Sequence, residues 1–290
     1  MKFKSIKCNL CGNEKSKQLV ECRVAKEDTG LPIGSMSIAK CTNCGLVYVN
    51  PRPEYSSEEF SILYSDKYFN APYMRFYIGK EGRQTNESFV SRLDWIEKYK
   101  RETRILDIGC ASGGFLKMAR DKGWETYGVE VSKTAADIAR GKYGLNVTTG
   151  RFDETGFGDD FFDVVTASDV IEHVEDPKSF LLEINRIMKK GGLLYIAVPD
   201  FDGLYYKTAI LISRFNHRNY FVLPHHIYFF NQDSIRQFLK ETNFNLIDFR
   251  KNESNISTSG FTGKIRGILF FIARLINKQD RILFLAEKAG

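Results

Sequence analysis

The sequence predicts an α/β fold, a parallel sheet covered by helices on both faces, with a small metal-held ribbon ahead of it. Three observations predict it. Short apolar runs alternate with helical patterns between residues 104 and 198, the signature of repeated strand–helix–strand units. The first unit turns through the small-residue loop Gly109-Cys110-Ala111-Ser112-Gly113-Gly114, which lets the backbone approach a nucleotide-like ligand. The chain also opens with two C-x-x-C pairs, Cys8/Cys11 and Cys41/Cys44.

Each element can be justified in chain order. Gly12 and Gly45 follow the two pairs and suit the tight knuckle turn whose N–H groups point at the sulfurs. Four thiolates close a tetrahedral site and leave no open position, so these cysteines predict a structural Zn²⁺ in a ribbon over residues 1–53. The 29-residue spacer between the pairs is absorbed by a long hairpin. Cys22 and Cys110 lie outside the pattern and read as small buried residues. The rigid stretch Asn50-Pro51-Arg52-Pro53 punctuates the chain. Residues 54–100 then read as a connecting segment, helical across 88–99, where Phe89, Leu93 and Ile96 recur at helical spacing.

Residues 101–290 hold the main domain. Strands are expected at 104–108, 125–129, 146–149, 162–167 and 193–198, with helices at 115–122, 132–142 and 178–189. Gly191-Gly192 reads as the C-cap of the last helix. Residues 245–250 and 281–287 read as two further strands, separated by a helical insert near 260–278. Within the insert, Ile265, Ile268, Leu269, Ile272, Leu275 and Ile276 make one apolar face flanked by basic residues. That face suits packing on the domain, a homodimer contact or peripheral attachment to a membrane through 264–276.

Composition narrows the function. Apolar residues make up 43% of the 290 and charged ones 27%, which excludes a disordered chain. The longest apolar run, residues 267–273, is far short of a membrane span, and Met1-Lys2-Phe3-Lys4 leads into polar sequence rather than a leader. A soluble, cytoplasmic chain is expected. The net charge of +6 divides into +4 over residues 1–50, −4 over 51–200 and +6 over 201–290. An acidic centre argues against a polyanion in the active site, and so against nucleic acid as partner.

Chemistry concentrates at the ends of the strands. The dinucleotide fingerprint would need glycines at 109, 111 and 114, and position 111 is Ala. Glu130 ends the second strand, where a carboxylate can accept both ribose hydroxyls. The fourth strand ends in Ser168-Asp169-Val170-Ile171-Glu172-His173, an acidic cluster unsuited to a pyrophosphate.

Taken as a set, these segments resemble a class I S-adenosylmethionine-dependent methyltransferase over residues 85–290, in the branch of ubiquinone-biosynthesis enzymes. The seven-stranded Rossmann-like sheet of that family is therefore expected, with its last two strands paired antiparallel. The four-cysteine zinc ribbon at the N-terminus and Pro224-His225-His226-Ile227-Tyr228-Phe229-Phe230 resemble a subgroup of surface-polysaccharide and natural-product pathways. The resemblance implies S-adenosylmethionine as cofactor. Asp107 and the backbone of Gly109, Cys110, Ala111, Ser112 and Gly113 would face its methionine part. Glu130 and Val131 would meet the ribose, Phe152 and Asp153 the adenine, and Ser168 and Asp169 the ammonium. In relatives an acidic residue often stands where this chain has Arg151.

Methyl transfer needs an aligned acceptor and a base, and histidine is the natural base near neutral pH. His173, His225 and His226 are the candidates, while His217 reads as solvated. The resemblance also implies a second use of Asp169, Glu172 and His173, as ligands of a divalent ion that activates a catechol-like oxygen. The leading expectation is transfer to a hydroxyl of a small polar acceptor, a sugar or related metabolite. The aromatics between Tyr55 and Tyr77 and between Tyr205 and Phe230 are candidates for stacking on it. A zinc-headed RNA methyltransferase is the alternative, disfavoured by the acidic centre.

Overall fold

The structure, a computed structural model, describes residues 2–64, 83–101, 103–252 and 273–290. Strand β1 (Lys2–Lys4) pairs with β5 (Arg52–Glu54). Between them β2 (Ser16–Val24), β3 (Gly34–Cys41) and β4 (Val47–Val49) form an antiparallel sheet; the four-residue helix α1 (Lys26–Thr29) joins β2 to β3. Val20, Cys22 and Val24 alternate inward along β2, as a half-buried strand requires. The fourth strand of this sheet is remote in sequence: β11 (Tyr228–Phe229) pairs with β4, Tyr228 opposite Tyr48 and Phe229 opposite Val47. The predicted ribbon, residues 1–53, thus shares a sheet with the segment that carries the histidine pair.

Helix α2 (Ser57–Leu63) follows, then α3 (Arg83–Ile96), which starts five residues earlier than the apolar spacing suggests. Residues 65–82 of the predicted connecting segment lie outside the described residues. The main sheet is then built from β6 (Arg104–Ile108), β7 (Glu125–Glu130), β8 (Asn146–Thr149), β9 (Phe162–Ser168), β10 (Met188–Pro199), β12 (Phe244–Asn252) and β13 (Arg281–Lys288). Its order is β12-β13-β10-β9-β6-β7-β8, parallel from β10 to β8, with β13 antiparallel to both its neighbours. This is the expected seven-stranded Rossmann-like sheet. Val164, Val165, Leu194 and Ile196 have no exposed surface, because central parallel strands are covered on both faces.

Helices α4 (Gly114–Asp121), α5 (Lys133–Tyr143), α6 (Pro177–Ile187), α7 (Leu204–Asn216) and α8 (Gln232–Glu241) complete the layers. Helix α5 is punctuated as its sequence demands: Ser132 accepts from Ala135 N–H, and Gly144 closes the helix left-handed at φ 63°. The end of α6 corrects the expectation. The helix stops at Ile187, and Gly191-Gly192 lies inside β10 as a register shift against β9. Glycine pairs mark bulges as well as caps, and here pairing with β9 resumes at Leu193.

The predicted insert near 260–278 is described from Ala273 onward, where Ala273 is buried and Arg274, Leu275 and Ile276 are exposed; the remainder of the 264–276 face lies outside the described residues. Among the described residues no helix is long and apolar enough to cross a membrane.

Candidate active site

All strands that bear predicted ligands end on one side of the sheet. Leaving β6, the chain takes positive φ at Gly109 (71°), Ala111 (48°) and Gly113 (82°). At Gly109 a Cβ would lie 2.6 Å from Val170 Cγ2, and at Gly113 one would lie 2.4 Å from Leu145 Cδ1, so both glycines are needed for close approach. Ala111 takes the left-handed conformation despite its methyl group. What holds it there is Glu130 at the end of β7, whose Oε2 accepts from Ala111 N–H at 2.9 Å while Oε1 accepts from Ser132 N–H at 2.8 Å. Glu130 is 4% exposed. Burial pushes its pKa above the usual carboxylate range, against the pull of those amide donors. The predicted ribose carboxylate therefore also shapes the loop. Val131, beside it, is exposed.

Asp107, the last buried carboxylate of β6, accepts from Thr166 Oγ1 and from Arg92 Nη1 at 3.3 Å. Burial raises its pKa, and Arg92 opposes the rise. Arg92 comes from α3 and sits 4.0 Å from the Phe115 ring centroid, with Tyr195 at 5.4 Å. It was missed in the sequence; a cation on an otherwise apolar helical face (Leu93, Ile96) was the signal available.

At the end of β9, Asp169 adopts φ 57°. Arg281, the first residue of β13, donates from Nη2 to Asp169 Oδ2 at 2.6 Å and to Ser168 Oγ at 2.9 Å. The predicted ammonium pair thus already holds a cation, supplied by a residue that sequence spacing gave no reason to single out. Phe152 is buried edge-on to Phe180, while the adjacent Asp153 is exposed and pairs with Arg151 at 3.1 Å.

Three histidines converge. His173 Nδ1 is 3.0 Å from the His225 carbonyl, and the His173 and His226 rings stand edge to face at 4.8 Å. A carbonyl only accepts, so Nδ1 carries the proton and Nε2 of His173 offers the lone pair. His173 and His226 are partly exposed and His225 is 6% exposed, packed 5.6 Å from Tyr64. Burial lowers all three, His173 to about 4, His225 to about 3 and His226 well below its ordinary value. Glu172 is 1% exposed with neither carboxylate oxygen hydrogen-bonded among the described residues, and burial raises its pKa well above the usual range. Glu172, His173 and His226 offer ligand atoms all within 4.8 Å of one another. This replaces the predicted trio: Asp169 is turned to Arg281, and His226 takes its place.

The four paired cysteines also converge. Cys8 Sγ is 3.4 Å from Cys44 Sγ, and Cys11 Sγ is 3.6 Å from Cys41 Sγ. Tetrahedral thiolates at ~2.3 Å from zinc would stand roughly 3.8 Å apart, so the set fits. Against burial, the amides of Cys44 and Asn43 bring the Cys41 thiol down to about 6. Phe221, Tyr228, Phe229 and Phe230 are buried, so these aromatics of the 205–230 stretch are core rather than acceptor platforms.

Comparison with known proteins fits this geometry. A family model described as a methyltransferase domain matches residues 80–248. A ubiquinone biosynthesis O-methyltransferase of Schizosaccharomyces pombe is 30% identical over 174 residues, covering 55% of this chain and 64% of that protein. A 2-methyl-6-phytyl-1,4-hydroquinone methyltransferase of Synechocystis is 25% identical over 189 residues, covering 58% of this chain and 59% of the relative. The chain thus spans less than two thirds of the length of these relatives. A SAM-dependent methyltransferase from Archaeoglobus fulgidus shares the fold with a TM-score of 0.52 at 20% identity, over 74% of this chain and 98% of that one. With the family's domain matched across more than half of its residues and the seven-stranded sheet in place, the chain belongs to the class I S-adenosylmethionine-dependent methyltransferases.

Proposed function

We propose that the protein transfers the methyl group of S-adenosylmethionine to a hydroxyl of a small polar acceptor, a sugar or related metabolite, with His173 as general base. The observation that carries this reading is the His173 Nδ1–carbonyl contact, which leaves Nε2 as acceptor at the carboxyl end of the sheet. The cofactor's fit rests on the left-handed loop at Gly109 and Gly113, where a Cβ would clash with Val170 or Leu145 and so displace the turn, and on the carboxylates of Asp107, Glu130 and Asp169 around it. When bound, S-adenosylmethionine supplies an activated sulfonium methyl. The chain's own work is then to hold the loop through Glu130, to place a carboxylate near positive charge, and to take the acceptor's proton at His173 Nε2. In the N-terminal sheet Cys8, Cys11, Cys41 and Cys44 would hold a structural Zn²⁺.

A second reading is favoured by the orphaned carboxylate of Glu172. With His173 and His226 it forms a two-imidazole, one-carboxylate set that suits a divalent ion beside a phenolic acceptor, the acceptor class suggested by the quinone-pathway relatives. One experiment separates the two. Methyl transfer to a nucleotide sugar and to a catechol is measured with and without a chelator that leaves the ribbon metal in place. Turnover of the sugar unaffected by the chelator supports the first reading; chelator-sensitive turnover of the catechol alone replaces it by the second.

A further inference from the structure

Helix α7 is amphipathic in the reverse sense. It buries Tyr206, Ala209 and Ser213 towards the protein and turns Tyr205, Leu211, Ile212 and Phe215 outward, with Phe215 82% exposed. A surface helix ordinarily buries its large apolar residues. The segment after Ala273 does the same with Leu275, 70% exposed, and Ile276. Six of the thirteen exposed large apolar side chains among the described residues lie in these two short stretches. The stretches adjoin, since Leu204 N–H donates to the Lys278 carbonyl at 3.0 Å and Tyr205 N–H to Asp280 Oδ1 at 3.0 Å.

Cations outnumber carboxylates around the face. Residues 202–233 contain Lys207, Arg214 and Arg218 against Asp202 and Asp233, with Asp202 paired to Lys207 at 3.0 Å, and residues 273–280 contain Arg274 and Lys278 against the buried Asp280. The face also lies at the site's end of the sheet, because β10 ends at Pro199 opposite Arg281 and α7 starts five residues later.

We propose that α7 and the 273–278 segment form a docking face for an anionic lipid bilayer, on which the protein lies with its acceptor site turned toward the membrane. Apolar side chains interleaved with cations are what such a surface recognises. A second copy of the chain is the poorer occupant, since a two-fold contact would set Arg214 and Arg218 against their own kind. The inference concerns where the acceptor is met and does not depend on which hydroxyl receives the methyl group.

Vesicle flotation tests it, using phosphatidylcholine mixed with phosphatidylglycerol against pure phosphatidylcholine. The wild type should float with the mixed vesicles and be released by salt. Leu211→Glu combined with Phe215→Glu should lower the bound fraction by roughly ten-fold or more. Leu182→Glu, at a 44% exposed apolar position on α6, should leave it unchanged. Retained S-adenosylhomocysteine binding by calorimetry shows that each variant is folded and tests the methyltransferase reading separately. The proposal fails if the wild type stays with the lipid-free fraction, or if the double variant floats as well as the wild type. It also fails if light scattering finds a dimer that the double variant splits while neither form binds vesicles.

Discussion

His173 keeps its proton on Nδ1 because, among the described residues, the partner in reach of that atom is the His225 carbonyl. Burial, partly offset by Asp169, holds its conjugate acid at about 4 rather than 6.5. Such a base stays neutral well into the acid range, so the acid limb of the kcat/KM profile should lie near pH 4 to 5. A limb at 6.5 would exclude His173 as the base. The same shift sets a stability trend. The unfolded imidazole binds a proton below about 6.5 and the native one only near 4, so this residue's share of stability is lost as pH falls through that window. His173→Ala should lower kcat by about 10²–10⁴-fold and leave S-adenosylhomocysteine affinity unchanged. At this scale the sequence was informative about residue types: Glu130, Asp169 and His173 all stand at the carboxyl ends of strands, and His225 and His226 were singled out with them. It was silent on Arg92 and Arg281, because a cation becomes a site residue only when another element brings a carboxylate to it.

The first βα unit depends on Gly113, which caps α4 at φ 82° and passes under Leu145 and Ala139. Gly113→Ala combines backbone strain with a buried clash and should cost about 2–5 kcal/mol in urea unfolding. Gly144→Ala, also left-handed but with nothing within 4 Å of the added atom, should cost only about 1 kcal/mol. Equal losses would mean that conformation alone, and not packing, explains both glycines. The alternation of strands and helices was legible because buried parallel strands are apolar throughout and their covering helices are amphipathic. The end of α6 was not, since a glycine pair serves a cap and a bulge equally well, and pairing with β9 decided for the bulge.

Across the whole molecule the N-terminal sheet and the site are one connected structure. Val49 N–H donates to the Ile227 carbonyl at 2.9 Å, and Ile227 N–H donates to the Glu172 carbonyl at 2.9 Å. Asn9 adds contacts to Asp176 and Lys178 at 2.8 and 3.0 Å. Stripping the proposed Zn²⁺ with a chelator, or Cys41→Ser, should therefore raise amide exchange at Ile227 and Tyr228 and reduce turnover, while S-adenosylhomocysteine binding persists. Unchanged exchange at those two amides would show that the cysteine cluster does not support the histidine segment. The sequence by itself determined the alternating parallel core, the glycine loop, the cysteine quartet and the identity of the acidic and imidazole groups, because each follows from local periodicity or fixed spacing, while the antiparallel last strands followed from the family resemblance. Only the tertiary structure decided that His226 rather than Asp169 joins Glu172 and His173, that Arg281 occupies the acidic pair, and that β11 closes the N-terminal sheet. Those are contacts between residues from about 50 to 180 positions apart, and no local pattern encodes which distant partner a buried polar group will meet.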